Sequence, residues 1–561
     1  LASAIKAAGA RAGTQVTLWG MFASGQKATA PYLDVVAASE VPYPPTGERP
    51  RAATQDDIDR MIDGMATAAH RIQRAGFDLV EVHAAHGYLF DQFRSKLWNR
   101  RTDKYGGSVE NRARFLCETI AEMRRRLGPD YPICVRINGS DYLPGGLTLE
   151  DSTIQAPLFE EAGASALHIS ASSVGTTQMQ YIPYLLPDAL LQDDSAAIKR
   201  VVNIPVITVG KIGTPALAEH LLAEGKADFV ALARPLLADA DFAIKAQEGR
   251  YDDIRYCIYC NNCTGGRQFR APEVNARGLC CTVNPALLRE NSFAIKPAEQ
   301  RKKVWVAGGG LAGMEAAHTL AARGHEVTLF EKDSVLGGQW HTATNQEFKG
   351  GFEVLTRQLV RSMEETGVQV RLNTPVDAAM VGQQRPDAVV VGTGAIASVP
   401  DIPGTDKPNV VQATDVIMGR ATTGKRVVVV GGRYMGMEIA DYISGQDGKE
   451  VTLVTRRELG REVQMQVFLA LFNRLLRKRV QFLQYAEAWE VLDTGLYLRF
   501  HGELVFVDCD TVVLAVGFRT DSSLAKTLEG TGVPTHVIGD AVEVRDALDA
   551  IREGAEIGRA I

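Results

Sequence analysis

Most of the eight cysteines of this 561-residue chain lie close together. Cys257, Cys260 and Cys263 repeat at C-x-x-C-x-x-C spacing, and Cys280 and Cys281 follow after a gap. Three thiolates at short spacing with a distant fourth are typical ligands of an iron–sulfur cluster. Zinc is the competing metal, but a structural zinc site more often shows two separated C-x-x-C pairs. The spacing therefore favours a [4Fe–4S] cluster, and it leaves the fourth ligand open between Cys280 and Cys281.

Three polar side chains lie around the end of the apolar run LVEVHAA (79–85). His83 is near the end of the run, and His86 and Tyr88 follow it. We predict that this run is a strand of a parallel α/β barrel, whose active site would lie at the carboxyl ends of its strands. Imidazoles there can donate hydrogen bonds to a substrate carbonyl oxygen, which draws charge from the β-carbon. A phenol can deliver a proton to the α-carbon after hydride arrives. A lone histidine would favour a core residue, but three polar groups at one strand end favour a catalytic site.

Other predicted strand ends carry residues that can bind a cofactor. Arg136, in ICVRING (133–139), can stabilise negative charge on a reduced flavin. His168, in ALHIS, is interpreted as a satisfied strand histidine outside the site. The last two predicted strands end where barrels usually bind phosphate, at Gly210, Lys211, Ala233 and Arg234.

A complete G-x-G-x-x-G follows a predicted strand at Gly308, Gly310 and Gly313. The first glycine allows the tight turn, the second admits a pyrophosphate, and the third lets the helix meet the strand. Glu331 ends the next predicted strand, where a carboxylate can bond ribose hydroxyls. Together these features predict a dinucleotide site. Three further residues extend that prediction to FAD: Gly338, Gln339 and Asp540.

A second glycine module is less regular. Gly431 and Gly436 hold the first and third positions, but Arg433 replaces the middle glycine. Thr455 replaces the acid that would bind ribose, and two arginines, the first of them Arg456, follow it. Loss of the acid next to arginines favours a 2′-phosphate, hence NADPH over NADH. We expect a working nicotinamide site here; a vestigial one is the alternative.

The elements that position these residues alternate between strands and helices. Such alternation implies parallel strands with crossover helices, and no glycine-rich loop appears before residue 308. A (β/α)8 TIM barrel therefore fits the N-terminal part better than a doubly wound sheet. Because only six strands are recognised, we expect one or two N-terminal βα units to be absent from this sequence. The strand candidates are residues 15–20, 79–85, 133–139, 166–171, 205–210 and 229–235.

The C-terminal half repeats a strand, glycine turn, helix and strand twice, which predicts two Rossmann-like modules of the disulfide-reductase type. The expected domains are a barrel that binds FMN and substrate, an iron–sulfur segment, an FAD-binding part, an NAD(P)-binding part and a return to the FAD-binding part. Their predicted bounds are residues 1–250, 251–300, 301–418, 419–525 and 526–561.

Composition narrows the class of protein. A net charge of −6 gives no sign of a nucleic-acid-binding surface. No run reaches the roughly 20 apolar residues that span a membrane, and the start, LASAIKAAGARAG, lacks the pattern of a secretion signal. The clustered cysteines suit a metal site in a reducing compartment, so we expect a cytoplasmic protein.

The chain resembles the long, iron–sulfur branch of the old yellow enzyme family, which includes 2,4-dienoyl-CoA reductase, 2-enoate reductase and trimethylamine dehydrogenase. The resemblance runs from about residue 75 to the C-terminus. Where that family has Q-L-W-H, this chain has TLWG (17–20), so a usual glutamine contact to FMN is missing from that motif. The matching stretches are HAAHGYLFDQFRSKLWNRRTDKYGGSVENRARF (83–115), GRYDDIRYCIYCNNC (249–263), CTVNP (281–285) and both glycine modules.

The resemblance implies FMN in the barrel, FAD after the cluster and NAD(P)H in the inserted module. It also implies electron transfer from NAD(P)H through FAD, the [4Fe–4S] cluster and FMN to an activated alkene. By the same resemblance, Cys281 is the fourth cluster ligand, His83 and His86 hold the substrate oxygen, and Tyr88 is the proton donor.

We therefore expect an NAD(P)H-dependent ene-reductase acting on an α,β-unsaturated acid, ketone or acyl-CoA. The alternative is amine oxidation of the trimethylamine dehydrogenase type, with electrons passed to a carrier protein. A third hypothesis is a non-catalytic scaffold with degenerate cofactor sites. The sequence does not reveal the substrate or the oligomeric state, although a homo-oligomer is compatible with it.

Overall fold

The computed structural model describes residues 1–26, 34–264 and 278–561. The chain divides into two compact units. The first unit comprises residues 1–182 and 186–233, and the second comprises residues 183–185 and 234–561. Among the described helices, none has the length and apolar character needed to cross a membrane.

The first unit is built on a sheet of six parallel strands that pair in chain order. Their Val- and Ile-rich sequences suit strands that are covered on both faces by crossover helices. The strands are Gly13–Thr17, Leu79–Ala84, Ile133–Ser140, Ala166–Ala171, Val206–Thr208 and Phe229–Val230. This parallel α/β architecture confirms the fold class predicted for the N-terminal part.

Four helices of the first unit begin at a serine or threonine whose side chain caps them. Thr54 and Thr148 each accept a hydrogen bond from the N3 backbone N–H, and an aspartate at N3 bonds back to complete a capping box. The helices that begin after these two threonines pack apolar side chains on the sheet within its main hydrophobic cluster. The helices are Ala2–Ala7, Gln55–Arg74, Leu89–Arg94, Val109–Leu127, Leu149–Glu161, Gln192–Lys199 and Pro215–Ala223, and a short ribbon pairs Val36–Ala37 with Arg51–Ala52.

The second unit contains two five-stranded parallel sheets. In spatial order, the first has strands Gln369–Arg371, Glu326–Phe330, Lys303–Ala307, Ala388–Val391 and Thr535–Val537. The second has strands Val410–Gln412, Thr511–Leu514, Arg426–Val430, Glu450–Thr455 and Gln481–Gln484. In each sheet the strand before the glycine turn is central, as a dinucleotide-binding module requires. This confirms the predicted pair of Rossmann-like modules.

The remaining strands of the second unit are antiparallel. Ala486–Leu492, Gly495–Phe500 and Glu503–Asp508 form a three-stranded sheet, and Ala395–Ala397 pairs with Phe518–Thr520. The helices are Arg234–Ala238, Phe242–Gln247, Leu311–Ala322, Gln339–Thr344, Glu353–Thr366, Ala378–Gln384, Ala413–Ile417, Tyr434–Ser444, Met465–Arg477, Ser523–Leu528 and Ala547–Ala560. In the cysteine segment, the described residues contain only the short 3-10 turns Tyr251–Asp253 and Asn262–Thr264.

Candidate active site

One row of side chains crosses the sheet of the first unit. Strand pairing sets Thr17 beside His83, and His83 beside Arg136. His168 follows on the next strand, beside Arg136. Because side chains alternate along a strand, paired residues face the same side of a sheet. We call these four residues the barrel row.

Three members of the barrel row carry a buried polar atom that has no hydrogen-bond partner within the described residues. These atoms are Oγ1 of Thr17, Nε of Arg136 and Nε2 of His168. An unpaired buried polar atom costs about 1–3 kcal/mol, so such atoms are rare unless a ligand or water completes them. The barrel row therefore fits a polar group such as a flavin, to which Arg136 would offer a donor.

The two predicted catalytic histidines are hydrogen-bonded to each other. Nε2 of His83 lies 3.1 Å from Nδ1 of His86, and Nδ1 of His83 accepts the backbone N–H of Ala85 at 3.3 Å. Because Nδ1 of His83 is occupied as an acceptor, neutral His83 carries its proton on Nε2 and donates it to His86. His86 then donates from its own Nε2 to the hydroxyl of Ser170 at 2.7 Å. Both rings are thereby assigned the tautomer protonated at Nε2.

Burial keeps both histidines neutral. Desolvation, followed by the charge of Arg136, lowers the pKa of His83 to about 3. The same two causes hold the pKa of His86 well below the ordinary histidine value. A neutral imidazole offers one donor and one acceptor. The pair can therefore polarise a carbonyl oxygen by donating a hydrogen bond, without changing its charge near neutral pH.

The loop after the second strand is fixed by its backbone N–H groups. The N–H of His86 donates to Oδ1 of Asn138 at 3.1 Å, and the N–H of Gly87 donates to Oδ2 of Asp91 at 2.9 Å. His86 has a φ of 62°, a left-handed conformation that is costly for a non-glycine residue. These hydrogen bonds hold that conformation, and it directs the imidazole of His86 toward His83.

Tyr88 stands beside this histidine pair. Its ring centroid lies 4.8 Å from that of His83 and 5.0 Å from that of Phe22. Burial, followed by the neighbouring phenol of Tyr181, raises the pKa of Tyr88. A phenol with a raised pKa keeps its proton through neutral pH, which is the state a proton donor needs. The structure thus brings together all three predicted catalytic residues.

The four predicted phosphate-binding residues are divided between the two units, three in the first and one in the second. Gly210 and Lys211 follow the fifth strand with φ of 115° and 55°. Nζ of Lys211 forms an ion pair with Asp188 at 3.2 Å. Ala233 is exposed at the end of the first unit. Arg234 belongs to the second unit, so its role in phosphate binding stays a prediction.

Four of the five clustered cysteines line one cavity of the second unit: Cys257, Cys260, Cys263 and Cys281. Cys280 has a different environment, since its Sγ donates to the carbonyl of Asn262 at 3.4 Å. Arg234 also lines the cavity, where it donates to Oδ1 of Asn261 at 2.5 Å. The donor set fits the predicted iron–sulfur ligands.

The cavity disfavours the thiolate form of an uncoordinated cysteine. Burial, followed by repulsion from Cys260 and Cys257, raises the pKa of Cys281 to about 12. The same causes raise the pKa of Cys263. A bound metal centre stabilises coordinating thiolates, so iron would reverse these shifts. Across the described residues, no three histidine, cysteine or acidic side chains converge closely enough to hold a single metal ion, and the [4Fe–4S] cluster stays a proposal.

The first glycine module has the close contacts that require glycine. A Cβ on Gly308 would lie 2.3 Å from the carbonyl oxygen of Gly392, and one on Gly313 would lie 1.9 Å from that of Gly308. Gly310 caps the helix Leu311–Ala322 and has open space where its Cβ would be. A helix N-terminus with this clearance can receive a pyrophosphate.

The other predicted FAD contacts surround the same turn. Oε2 of the buried Glu331 accepts the backbone N–H of Gly309 at 2.7 Å, which fixes the carboxylate next to the glycine turn. Gly338 has a φ of 52° and caps the short helix that begins at Gln339. Burial raises the pKa of the Asp540 carboxyl. These residues are compatible with FAD.

The second glycine module repeats the same packing despite its irregular sequence. Gly431 has a φ of 127°, and a Cβ on Gly436 would lie 1.6 Å from the Gly431 carbonyl oxygen. The side chain of Arg433 is 74% exposed and paired with Glu462, so it does not fill the turn. Arg456 is 77% exposed, which leaves it accessible to a nucleotide phosphate.

Two residues next to the histidines were missed by sequence reasoning. Ser170 accepts from His86, and Nε2 of Gln180 lies 3.0 Å from Nδ1 of His86. Ser170 could have been found from strand alternation, because it is two residues beyond His168 and faces the same side. No local signal identifies Gln180, which lies in an irregular loop.

Both halves of the chain match families of known proteins. Residues 1–253 match the NADH:flavin oxidoreductase / NADH oxidase family, and residues 302–547 match the pyridine nucleotide-disulphide oxidoreductase family. An NADH oxidase of Thermoanaerobacter brockii is 39% identical over 94% of this chain and 81% of its own length. A cinnamate reductase of Clostridium sporogenes is 33% identical over the same shares of the two chains.

A solved structure agrees along the whole chain. The complex of 2-naphthoyl-CoA reductase with 2-naphthoyl-CoA has a TM-score of 0.90 and 30% identity, covering 100% of this chain and 86% of that one. The histidine–tyrosine site, the two glycine modules and these relatives agree with the resemblance found in the sequence. The chain belongs to the NADH:flavin oxidoreductase / NADH oxidase family, in its old-yellow-enzyme-like iron–sulfur branch, and is a flavin-dependent oxidoreductase.

Proposed function

We propose that the protein is an NAD(P)H-dependent ene-reductase that reduces the C=C bond of an α,β-unsaturated acid, ketone or acyl-CoA. The observation that carries this proposal is the juxtaposition of Tyr88 with the hydrogen-bonded pair His83–His86. Two similar proteins, named a cinnamate reductase and a 2-naphthoyl-CoA reductase, support it. The overall reaction joins the alkene, NAD(P)H and one proton to give the saturated product and NAD(P)⁺.

Different parts of the chain would bind the four cofactors. Arg136 and Lys211 would hold FMN, the module at Gly308 would hold FAD, and the module at Gly431 would hold NAD(P)H. The four thiols that line the cavity would hold the [4Fe–4S] cluster. Together these groups supply hydride transfer at each end and single-electron transfer between the flavins.

The catalytic side chains then act on the substrate in two ways. His83 would turn its Nε2–H from His86 to the substrate carbonyl oxygen, and this hydrogen bond would strengthen as negative charge develops there. His86, whose Nε2–H is donated to Ser170, would remain behind His83 as a support. The hydroxyl of Tyr88 would give its proton to the α-carbon and recover it from solvent.

Amine oxidation with electrons passed to a carrier protein is the competing hypothesis. Two features of the sequence favour it: the irregular second glycine module, with Arg433 in place of a glycine, and the resemblance of GRYDDIR and the cysteine run to that branch of the family. The outward, ion-paired side chain of Arg433 weakens the first of them. We therefore favour nicotinamide as the electron donor.

Turnover with unsaturated substrates tests the proposal. Purified holoenzyme is mixed without oxygen with NADPH or NADH and a set of enoates, enones and enoyl thioesters, and nicotinamide and product are both quantified. We expect one saturated product per nicotinamide oxidised for at least one substrate class. Nicotinamide oxidation that never yields a saturated product would refute ene reduction.

The rate of alkene reduction should show no change with pH that arises from the titration of a histidine. The pKa of His83 is lowered to about 3 and that of His86 lies well below the ordinary histidine value, so both rings are neutral at pH 6.5 and above. The pKa of Tyr88 is raised, so its proton is present at neutral pH and is lost only as pH rises through that raised value. With an enone as substrate, reoxidation of the prereduced enzyme should be flat around pH 6.5 and fall in strong alkali. An inflection near the ordinary histidine pKa of about 6.5 would contradict this assignment.

A further inference from the structure

A buried carboxylate–imidazole pair lies next to the proposed catalytic residues without having a role in the mechanism above. Nδ1 of His168 lies 2.9 Å from Oε2 of Glu81. Oε1 of Glu81 accepts a hydrogen bond from Gln15 at 2.5 Å, and the thiol of Cys134 donates to Oε2 at 3.4 Å. All these residues lie on adjacent strands of the first unit. The pair is therefore held by several strands at once.

The pair fixes where the proton of His168 lies. Burial alone would raise the pKa of Glu81, but the hydrogen bond from His168 and the electrostatic interaction with it, followed by the charge of Arg136, lower the pKa to about 2. An ionised carboxylate can only accept, so Nδ1 of His168 must carry the proton. Desolvation and Arg136 lower the pKa of His168 itself, which keeps the ring neutral. Nε2 of His168 then presents a lone pair.

That lone pair has no partner among the described residues, although the side chain is only 10% exposed. It belongs to the barrel row, in which Nε of Arg136 and Oγ1 of Thr17 are also unpaired. Arg136 offers a donor, whereas His168 offers an acceptor. A flavin needs both kinds of partner, because its ring edge has carbonyl oxygens and one imide N–H, and its side chain carries hydroxyls.

We propose that His168 is a further cofactor-binding residue of the barrel, whose Nε2 accepts a hydrogen bond from an N–H or O–H group of the flavin. Glu81 is the positioning residue that holds the ring in the required tautomer. This inference rests on the proposed function, because it takes FMN to be the group bound at the barrel row. It corrects the interpretation of His168 as a satisfied strand histidine, since only one of its two nitrogens is paired.

FMN affinity tests this proposal without any turnover assay. Full-length protein is stripped of FMN and retitrated, with quenching of flavin fluorescence as the readout. His168→Leu keeps the bulk but removes the acceptor, and it should weaken FMN binding about 10- to 100-fold because a buried donor is left unpaired. His168→Gln restores an acceptor and should recover most of the affinity. Glu81→Leu, which frees the ring to adopt either tautomer, should fall between these two.

Ile169→Val is the matched control. Ile169 is the next residue on the same strand, is fully buried and faces the opposite side of the sheet. It should bind FMN like the unchanged protein, so a loss there would mean that any disturbance of the strand weakens binding. Equal FMN affinity of His168→Leu and the unchanged protein would overturn the role of His168. If the unchanged protein binds no FMN, the proposed function itself fails.

Flavin analogues identify the donor. If His168 accepts from the imide N–H, FMN methylated at that nitrogen should bind equally to the unchanged protein and to His168→Leu. If it accepts from a hydroxyl of the side chain, the methylated flavin should still distinguish the two proteins, and a deoxy-ribityl analogue should not. A difference between the two proteins that persists undiminished with every analogue would refute a direct hydrogen bond.

Discussion

Replacing Tyr88 with phenylalanine should slow alkene reduction about 100- to 10,000-fold, the usual contribution of a positioned general acid. Reduction of the flavins by NAD(P)H should be unchanged. The substitution removes only the hydroxyl, and the ring contacts with His83 and Phe22 remain. The defect should therefore lie in the step that delivers a proton to the α-carbon. Rapid mixing separates the two half-reactions by following flavin absorbance first with NAD(P)H and then with alkene.

Tyr43→Phe is the control for this experiment. The ring of Tyr43 contacts Phe22 at 5.4 Å between centroids, so it belongs to the same aromatic group. Tyr43 does not follow the strand Leu79–Ala84 that carries His83. Loss of its hydroxyl should leave both half-reactions close to those of the unchanged enzyme. Unimpaired alkene reduction by Tyr88→Phe would show that the proton comes from elsewhere.

Replacing Cys281 with serine should disconnect the nicotinamide site from the alkene site. The thiol of Cys281 lines the cavity together with the three cysteines of the C-x-x-C-x-x-C run. Without this ligand the protein should no longer bind the cluster, while the glycine modules remain intact. NAD(P)H should then still reduce the bound FAD, whereas NAD(P)H-driven alkene turnover should fall to background because no cluster carries electrons between the flavins. Iron content, visible absorbance and turnover check this result.

Cys280→Ser is the matched control, because it makes the same change one residue earlier. Its thiol donates to the carbonyl of Asn262, and a serine hydroxyl can make that hydrogen bond too. We expect normal iron content and turnover. If Cys280→Ser loses iron and Cys281→Ser keeps it, the fourth ligand has been assigned to the wrong residue.

The sequence was most informative where chemistry depends on residues close in the chain. The spacing of His83, His86 and Tyr88 was enough to place them at one strand end, because side-chain alternation and the following turn are local. The turns at Gly308 and Gly431 were also predictable, since a Cβ at either position would meet a backbone carbonyl oxygen. The alternation of strands and helices then gave the parallel architecture.

Partners that depend on strand pairing were not predictable. His168 and Glu81 are brought together only by the register of three adjacent strands, so the half-satisfied state of His168 was invisible. The tautomer of His83 depends on the backbone N–H of Ala85, whose direction follows from the turn. Likewise, the sequence could show that Arg433 replaces a glycine but not that its side chain leaves the turn and pairs with Glu462.

The most direct test of ene reduction driven by NAD(P)H is a single turnover without oxygen. Holoenzyme is reduced with one equivalent of NADPH per active site, mixed rapidly with an unsaturated acid, ketone or thioester, and followed by flavin absorbance and product analysis. We expect bleaching of the flavins by the nicotinamide, then reoxidation by the alkene with one saturated product formed. Flavins that NADPH and NADH cannot reduce, but that a secondary or tertiary amine reduces, would contradict it.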